Sequence, residues 1–229
     1  MAHSFVTART HLMTTSARHD PTLSALDDAT RQLVRLAAVV AAGDEGTIRL
    51  ALARSDNSVP HVWVEELILQ SYLFSGFPRA LNAMREWRRI SARPVEWASA
   101  GDAPRDAANA GLWRRLGEQT CRQVYDGMYD RLRVNIRELH PELDEWMIVE
   151  GYGKVLSRPG LDLPRRELCI VAACAASRQE RQLHSHLRGA LNVGIRPDVV
   201  SAAIDALESV IDETTVAATR LLWARVRGK

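Results

Sequence analysis

The sequence predicts an all-α protein. Apolar residues recur at spacings of three and four along nearly the whole chain, and no segment alternates apolar and polar residues at a period of two. Glycines and prolines fall between the periodic stretches and divide them into separate helices.

Residues 23–42 carry Leu26, Leu33, Leu36, Ala37 and Val40 on one stripe, and Gly43 ends that helix. Asp44 is placed to cap a short helix reaching Ala53, followed by a polar loop at residues 54–58. Residues 62–74 form a third helix. Gly76 and Pro78 break the chain and start a fourth through Leu81, Met84 and Trp87, because proline suits a first helical turn. Residues 91–105 contain Pro94, Gly101 and Pro104 without any period, as a linker does. A long amphipathic helix is predicted over 112–139, with Gly117 and Gly127 as weak points and Pro141 as its stop. Another follows over 142–156. Two prolines and Gly160, where a positive φ is permitted, make a rigid turn of residues 157–164. Helices at 165–177, 179–193 and 197–211, and a last one to Arg227, complete the chain.

Landmarks recur between the two halves. Arg31-Gln32-Leu33 opens a helix as Arg166-Glu167-Leu168 does, Ala51-Leu52 parallels Ala190-Leu191, and Pro60 and Pro197 precede the next helices. The expected organisation is a tail at residues 1–22, a first repeat at 23–92, a linker at 93–110, and a second repeat with its leading helices at 111–229.

A chain of 229 residues buries about 70% of its unfolded surface, so neither a disulfide nor a metal is required to hold it. Thirty basic and 28 acidic residues leave a net charge of +2, which excludes a basic nucleic-acid arm as the main function. No apolar run approaches the roughly 20 residues that cross a bilayer. The start of the chain lacks the apolar core of a signal peptide. Cys121, Cys169 and Cys174 are too few for a secreted disulfide framework. The expectation is a cytoplasmic protein with neither nucleic-acid nor membrane partners.

The run Arg166-Glu167-Leu168, then Gln182-Leu183-His184-Ser185-His186-Leu187-Arg188-Gly189-Ala190-Leu191-Asn192-Val193-Gly194, resembles the carboxymuconolactone decarboxylase family. Upstream, Gly153 to Leu161 is similar to that family's signature before the same helix, and Leu69 to Ala80 is similar to its last segment. The resemblance implies an alkylhydroperoxidase D-like helical array, here duplicated in tandem. It also implies assembly, most simply a dimer or trimer for a duplicated chain. The six tryptophans are candidate core or interface anchors.

Each repeat looks incomplete. The second lacks the Tyr/Gly/Pro ending, and the first has Gln32 in place of the glutamate and no histidine between Asp44 and Val59. In the wider family, peroxidase chemistry needs Cys-x-x-Cys-x-x-x-His on one helix and a glutamate on the preceding one. Counted back from His186, the thiol positions hold Gln179 and Gln182, whereas Glu167 falls at the glutamate. Glutamine supplies no thiolate. Cys169 and Cys174 lie about 140° apart around one helix and face different sides. His184 and His186 are two apart, on roughly opposite faces, so they do not form a joint metal site.

The resemblance therefore implies a cofactor-independent, metal-free carboxy-lyase on a small carboxylated lactone or related cyclic acid. Loss of CO₂ from an unsaturated lactone leaves charge on the lactone carbonyl, which calls for donors to hold it and an acid to protonate carbon. Glu167 and His186 are the candidate catalytic pair. Gln182, Arg158 and Arg188 are the candidate substrate-binding residues. Each also has a plainer reading: Glu167 as a first-turn acid, His186 as a hydrogen-bonded structural residue, the arginines as surface ion-pair partners. Two alternatives stand beside the lyase. One is a non-catalytic scaffold or binding protein of the same fold, and the other, disfavoured by the missing thiols, is a peroxiredoxin-like antioxidant.

Overall fold

The computed structural model describes residues 23, 25–93 and 109–228. The expected tail, and the linker apart from its edges, lie outside the described residues. Every described element is helical, so the fold class is all-α, in agreement with an alkylhydroperoxidase D-like array.

Helix α1 spans Asp28–Ala42, α2 spans Glu45–Asp56 and α3 spans His61–Ser91. Helix α4 is Ala110–Tyr125 and α5 is Tyr129–Leu139. Helix α6, Pro141–Trp146, runs on into a π-helix at Met147–Leu156. Helices α7 to α10 are Leu163–Ala176, Glu180–Asn192, Pro197–Asp205 and Glu213–Arg227. Four of the starts are fixed by aspartates. Asp27, Asp44, Asp162 and Asp212 each accept a hydrogen bond from the backbone N–H three residues on, satisfying a first-turn donor.

The structure departs from the sequence-based expectation in several places; the helix expected over 197–211, for one, ends at Asp205 and passes into a 3₁₀ turn at Ala206–Ser209. Helix α2 continues past Ala53, because the buried Ser55 hydroxyl donates back to the Ala51 carbonyl and so needs no water. The predicted helix over 112–139 is two helices, divided by a 3₁₀ turn at Asp126–Met128 where Asp126 takes φ 47°. Gly127 lies in that break. Gly117 is not a weak point at all: a Cβ there would collide with the Ile148 carbonyl, and a Cβ on Gly153 would collide with the Trp113 carbonyl. The pair lets α4 and the π-helix meet backbone to backbone. Gly76 does interrupt α3, at φ 77° and ψ 161°, so the break before Pro78 is real. Gly160 adopts φ 97° in the turn before α7.

Helices α1 and α7 pack against each other at the centre. Helix α2 and α3 pack on α1, α8 packs on α7, and α4 lies between α8 and the π-helix. Leu33, Leu36 and Val40 of α1 and Leu168 and Ile170 of α7 are fully buried along this seam. Full burial of such side chains contributes roughly 1.5–3 kcal/mol each. Trp87 and Trp223 sit in the core, Trp63 lies under the Arg165 guanidinium, and Trp146 is 59% exposed. Trp97 lies outside the described residues.

Candidate functional site

Helix α7 is buried without interruption from Arg166 to Ala175, so every side chain in that run must find a partner inside the protein. Glu167 is fully buried. Helix α8 is amphipathic and turns Leu183, His186, Leu187 and Ala190 inward against α7. This brings His186 Nδ1 to 2.9 Å from Glu167 Oε2. Gly189, three residues past His186, makes the approach possible. A Cβ there would stand 2.7 Å from both Glu167 Oε2 and Val124 Cγ1.

The other carboxylate oxygen, Glu167 Oε1, is buried without a hydrogen-bond partner. Around the pair, Phe74 of α3 presents an edge-to-face contact to the His186 ring at 5.9 Å. Tyr125 at the end of α4 and Tyr152 of the π-helix meet edge to face at 6.2 Å. Burial pushes Tyr125 up to about 12, while hydrogen bonds with Tyr152 and Ser185 pull the other way. Burial also pushes Tyr152 well above the usual phenol range, and the Glu167 charge adds to both shifts. These phenols are hydrogen-bond donors at neutral pH.

The cysteines are no substitute for the missing thiol pair. Burial pushes Cys121 and Cys174 up to about 12, and burial raises Cys169 as well. All three are buried thiols, poor nucleophiles in the cell.

The sequence-derived candidates do not all converge. Glu167 and His186 are in contact. Gln182 and Arg188 lie on the exposed side of α8, as does Gln179 at its start. Arg158 is turned elsewhere. Its Nε and Nη2 donate to Glu66 over 2.9–3.2 Å, beside the fully buried Arg166, whose Nη2 donates to the same carboxylate at 2.8 Å. Gln70 and the Leu161 and Arg158 carbonyls accept three further hydrogen bonds from Arg166. Sequence reasoning missed Phe74, Tyr125, Tyr152 and Ser185 as neighbours of the pair. Ser185 carried a signal, being adjacent to His186; the others come from distant helices with no fixed spacing.

A cavity of about 480 Å³ lies elsewhere, between α1, α2 and residues 208–212, and takes no wall from the pair. Among the described residues, no group of three or more His, Cys, Asp or Glu side chains has the arrangement of a metal site. Among them, too, no helix is long and apolar enough to cross a membrane.

Comparison with known proteins follows the same residues. The family described as "Carboxymuconolactone decarboxylase family" matches residues 141–224, which hold both Glu167 and His186. A curated relative, Peroxisomal protein 2 of Schizosaccharomyces pombe (strain 972 / ATCC 24843), is 31% identical over 149 residues, covering 63% of this chain and 67% of the relative. With the helical array, the buried Glu–His contact and these matches together, the chain belongs to the carboxymuconolactone decarboxylase family.

Proposed function

We propose that the protein is a cofactor-independent carboxy-lyase acting on a small carboxylated lactone or related cyclic acid. The supporting observation is the Glu167–His186 pair, held at 2.9 Å in the interior with one carboxylate oxygen unpartnered. A buried acceptor without a donor costs about 1–3 kcal/mol, so a carboxylate kept in that state asks for a use beyond stability. Glu167 engages Nδ1, which fixes the ring and leaves Nε2 as the nitrogen that meets substrate. In the proposed reaction the bond to the departing CO₂ breaks and its electron pair moves toward the lactone carbonyl. His186 then delivers a proton from Nε2 to carbon. Tyr125 and Ser185, and Gln182 one turn before His186, are the proposed donors to the developing oxyanion. Neither arginine is proposed as a clamp at this pair: Arg158 is engaged by Glu66, and Arg188, two residues past His186, is on the exposed side of α8.

The test measures CO₂ release from a panel of carboxylated γ-lactones by wild type, His186→Gln and Glu167→Gln, with circular dichroism to check folding. Loss of turnover in folded variants supports the reading. A wild type inert on every lactone, with both variants unfolded, would make the pair structural.

The exposed positions of Gln182 and Arg188 favour a second reading, a non-catalytic binding protein of the same fold. For assembly we propose a dimer or trimer through the apolar surface of α5 and α6, where Leu139 is 73% and Trp146 59% exposed. The proposed location is the cytoplasm; the name of the fission-yeast relative ties that protein to the peroxisome. Fractionation of tagged protein separates the two.

A further inference from the structure

The cavity between α1, α2 and residues 208–212 has about 480 Å³, within the roughly 300–1,000 Å³ of small-molecule sites. The helix caps supply a register for comparing it with the Glu167–His186 region. Counted from their capping aspartates, Asp27 and Asp162, α1 and α7 place Gln32 at the position of Glu167 and Val39 at that of Cys174. Counted from Asp44 and Gln179, α2 and α8 place Ala51 at the position of His186 and Arg54 at that of Gly189. Inward positions agree in this register: Ile48 with Leu183, Leu52 with Leu187, Ser55 with Ala190, all buried. Ala51 thus pairs with His186 rather than with Ala190. Continued into α3 and α9–α10, the match sets Ile68 on Ile204 and Trp87 on Trp223, again buried, and Phe74 on Val210.

Phe74 packs on His186, and their counterparts Val210 and Ala51 both line the cavity. The space exists because two ring-bearing side chains in one half have small counterparts in the other. Its chemistry differs too. Gln32, in place of Glu167, is turned to the Ser55 hydroxyl at 3.4 Å. Val39, Ala51 and Val210 give an apolar wall. Glu208 is engaged by Arg220, and Asp212 by Arg178 and Thr215. Arg54, which makes no ion pair among the described residues, adds an uncompensated positive charge at the rim.

We infer that this cavity is a second small-molecule site, the counterpart of the Glu167–His186 region, which takes a monocarboxylate with a short apolar body and binds it without turnover. The apolar body lies against Val39, Ala51 and Val210, and the carboxylate meets Arg54. The inference is independent of the proposed lyase activity.

The experiment is calorimetric titration of the full chain with sodium octanoate, with 1-octanol as the neutral control. Saturable octanoate binding is expected. It should weaken on the order of fivefold in Arg54→Gln, the share of one exposed charge contact. It should be abolished in Val210→Phe and Ala51→Phe, which return bulk to the cavity, and be unchanged in His186→Gln. Circular dichroism checks the filled variants; if they unfold, the exposed Arg54→Gln decides. Absence of saturable binding in the millimolar range overturns the inference. So does octanol binding as tightly as octanoate, binding indifferent to Arg54→Gln, or binding lost in His186→Gln.

Discussion

Two buried carboxylates, Glu66 and Glu167, are held in opposite ways. Glu66 receives both Arg158 and Arg166, and Arg166 has an acceptor for each nitrogen of its guanidinium. Glu167 receives one ring nitrogen and leaves Oε1 bare. The first cluster ties α3 to α7 and to the turn before α7, and a fully satisfied network of that kind rigidifies a fold. The second is half satisfied, which is the poorer solution for stability alone. Both are buried, so satisfaction rather than burial separates the strut at Glu66 from the proposed site at Glu167.

The comparison is sharpened most by turnover. With an active lactone in hand, His186→Gln should lose roughly 10²–10⁴-fold in rate while its urea midpoint stays near that of wild type; Glu66→Gln should retain its rate per folded molecule. Stability should reverse the order. Glu66→Gln leaves two arginines facing a neutral amide and is expected to cost about 3 kcal/mol in urea unfolding, against less than about 1 kcal/mol for Glu167→Gln, which replaces a buried, half-partnered carboxylate by a neutral amide of the same shape. Equal losses at both positions would erase the distinction. Between these lies Gly189→Ala. Its Cβ would press on Glu167 Oε2 and Val124, and about 2 kcal/mol of destabilisation is expected from overpacking.

A third buried carboxylate, Asp144, offers a check on the satisfied class through pH. Hydrogen bonds from Arg133 hold its carboxyl below the usual range, burial opposes them, and Arg137 adds to the lowering. A depressed folded value contributes stability that is complete above the ordinary aspartate pKa of about 4 and is lost as pH falls through the lowered value. Thermal melts of Asp144→Asn should therefore be less stable than wild type at pH 7 and converge with it toward pH 2; parallel acid limbs would contradict this. The smallest effect concerns the thiols. Burial raises Cys174 to about 12, so its folded-state contribution is complete below about 8.5 and fades as pH rises through that window. Native protein at pH 8 should yield almost no coloured thiolate with a disulfide reagent until urea is added.

The helical architecture was legible because its signals are local. Asp44 caps the helix assigned to it, and Gly76 breaks α3 where the Gly-Phe-Pro run predicts a break. The Glu167–His186 contact was legible through family spacing, since two adjacent helices joined by a short turn have few ways to face each other. What stayed hidden depends on the partner across the interface. Gly117 reads as a weak point in isolation; only the facing Ile148 carbonyl reveals that a side chain would not fit. Arg158 reads as a substrate clamp because Glu66 lies 92 residues away in sequence. The π-helix at Met147–Leu156 differs from an α-helix by less than one residue per turn, too little for apolar spacing to register over ten residues.

The backbone contact through Gly117 and Gly153 limits how this protein adapts. With no side chain at the Gly117 and Gly153 crossing to trim or enlarge, α4 and the π-helix keep their separation there, and with it the meeting of Tyr125 and Tyr152. Phe74, which packs on the His186 ring, lies within one turn of the Gly76 bend. A lineage acquiring a bulkier substrate would accumulate its replacements there, around residues 72–78, and leave the tyrosine side untouched.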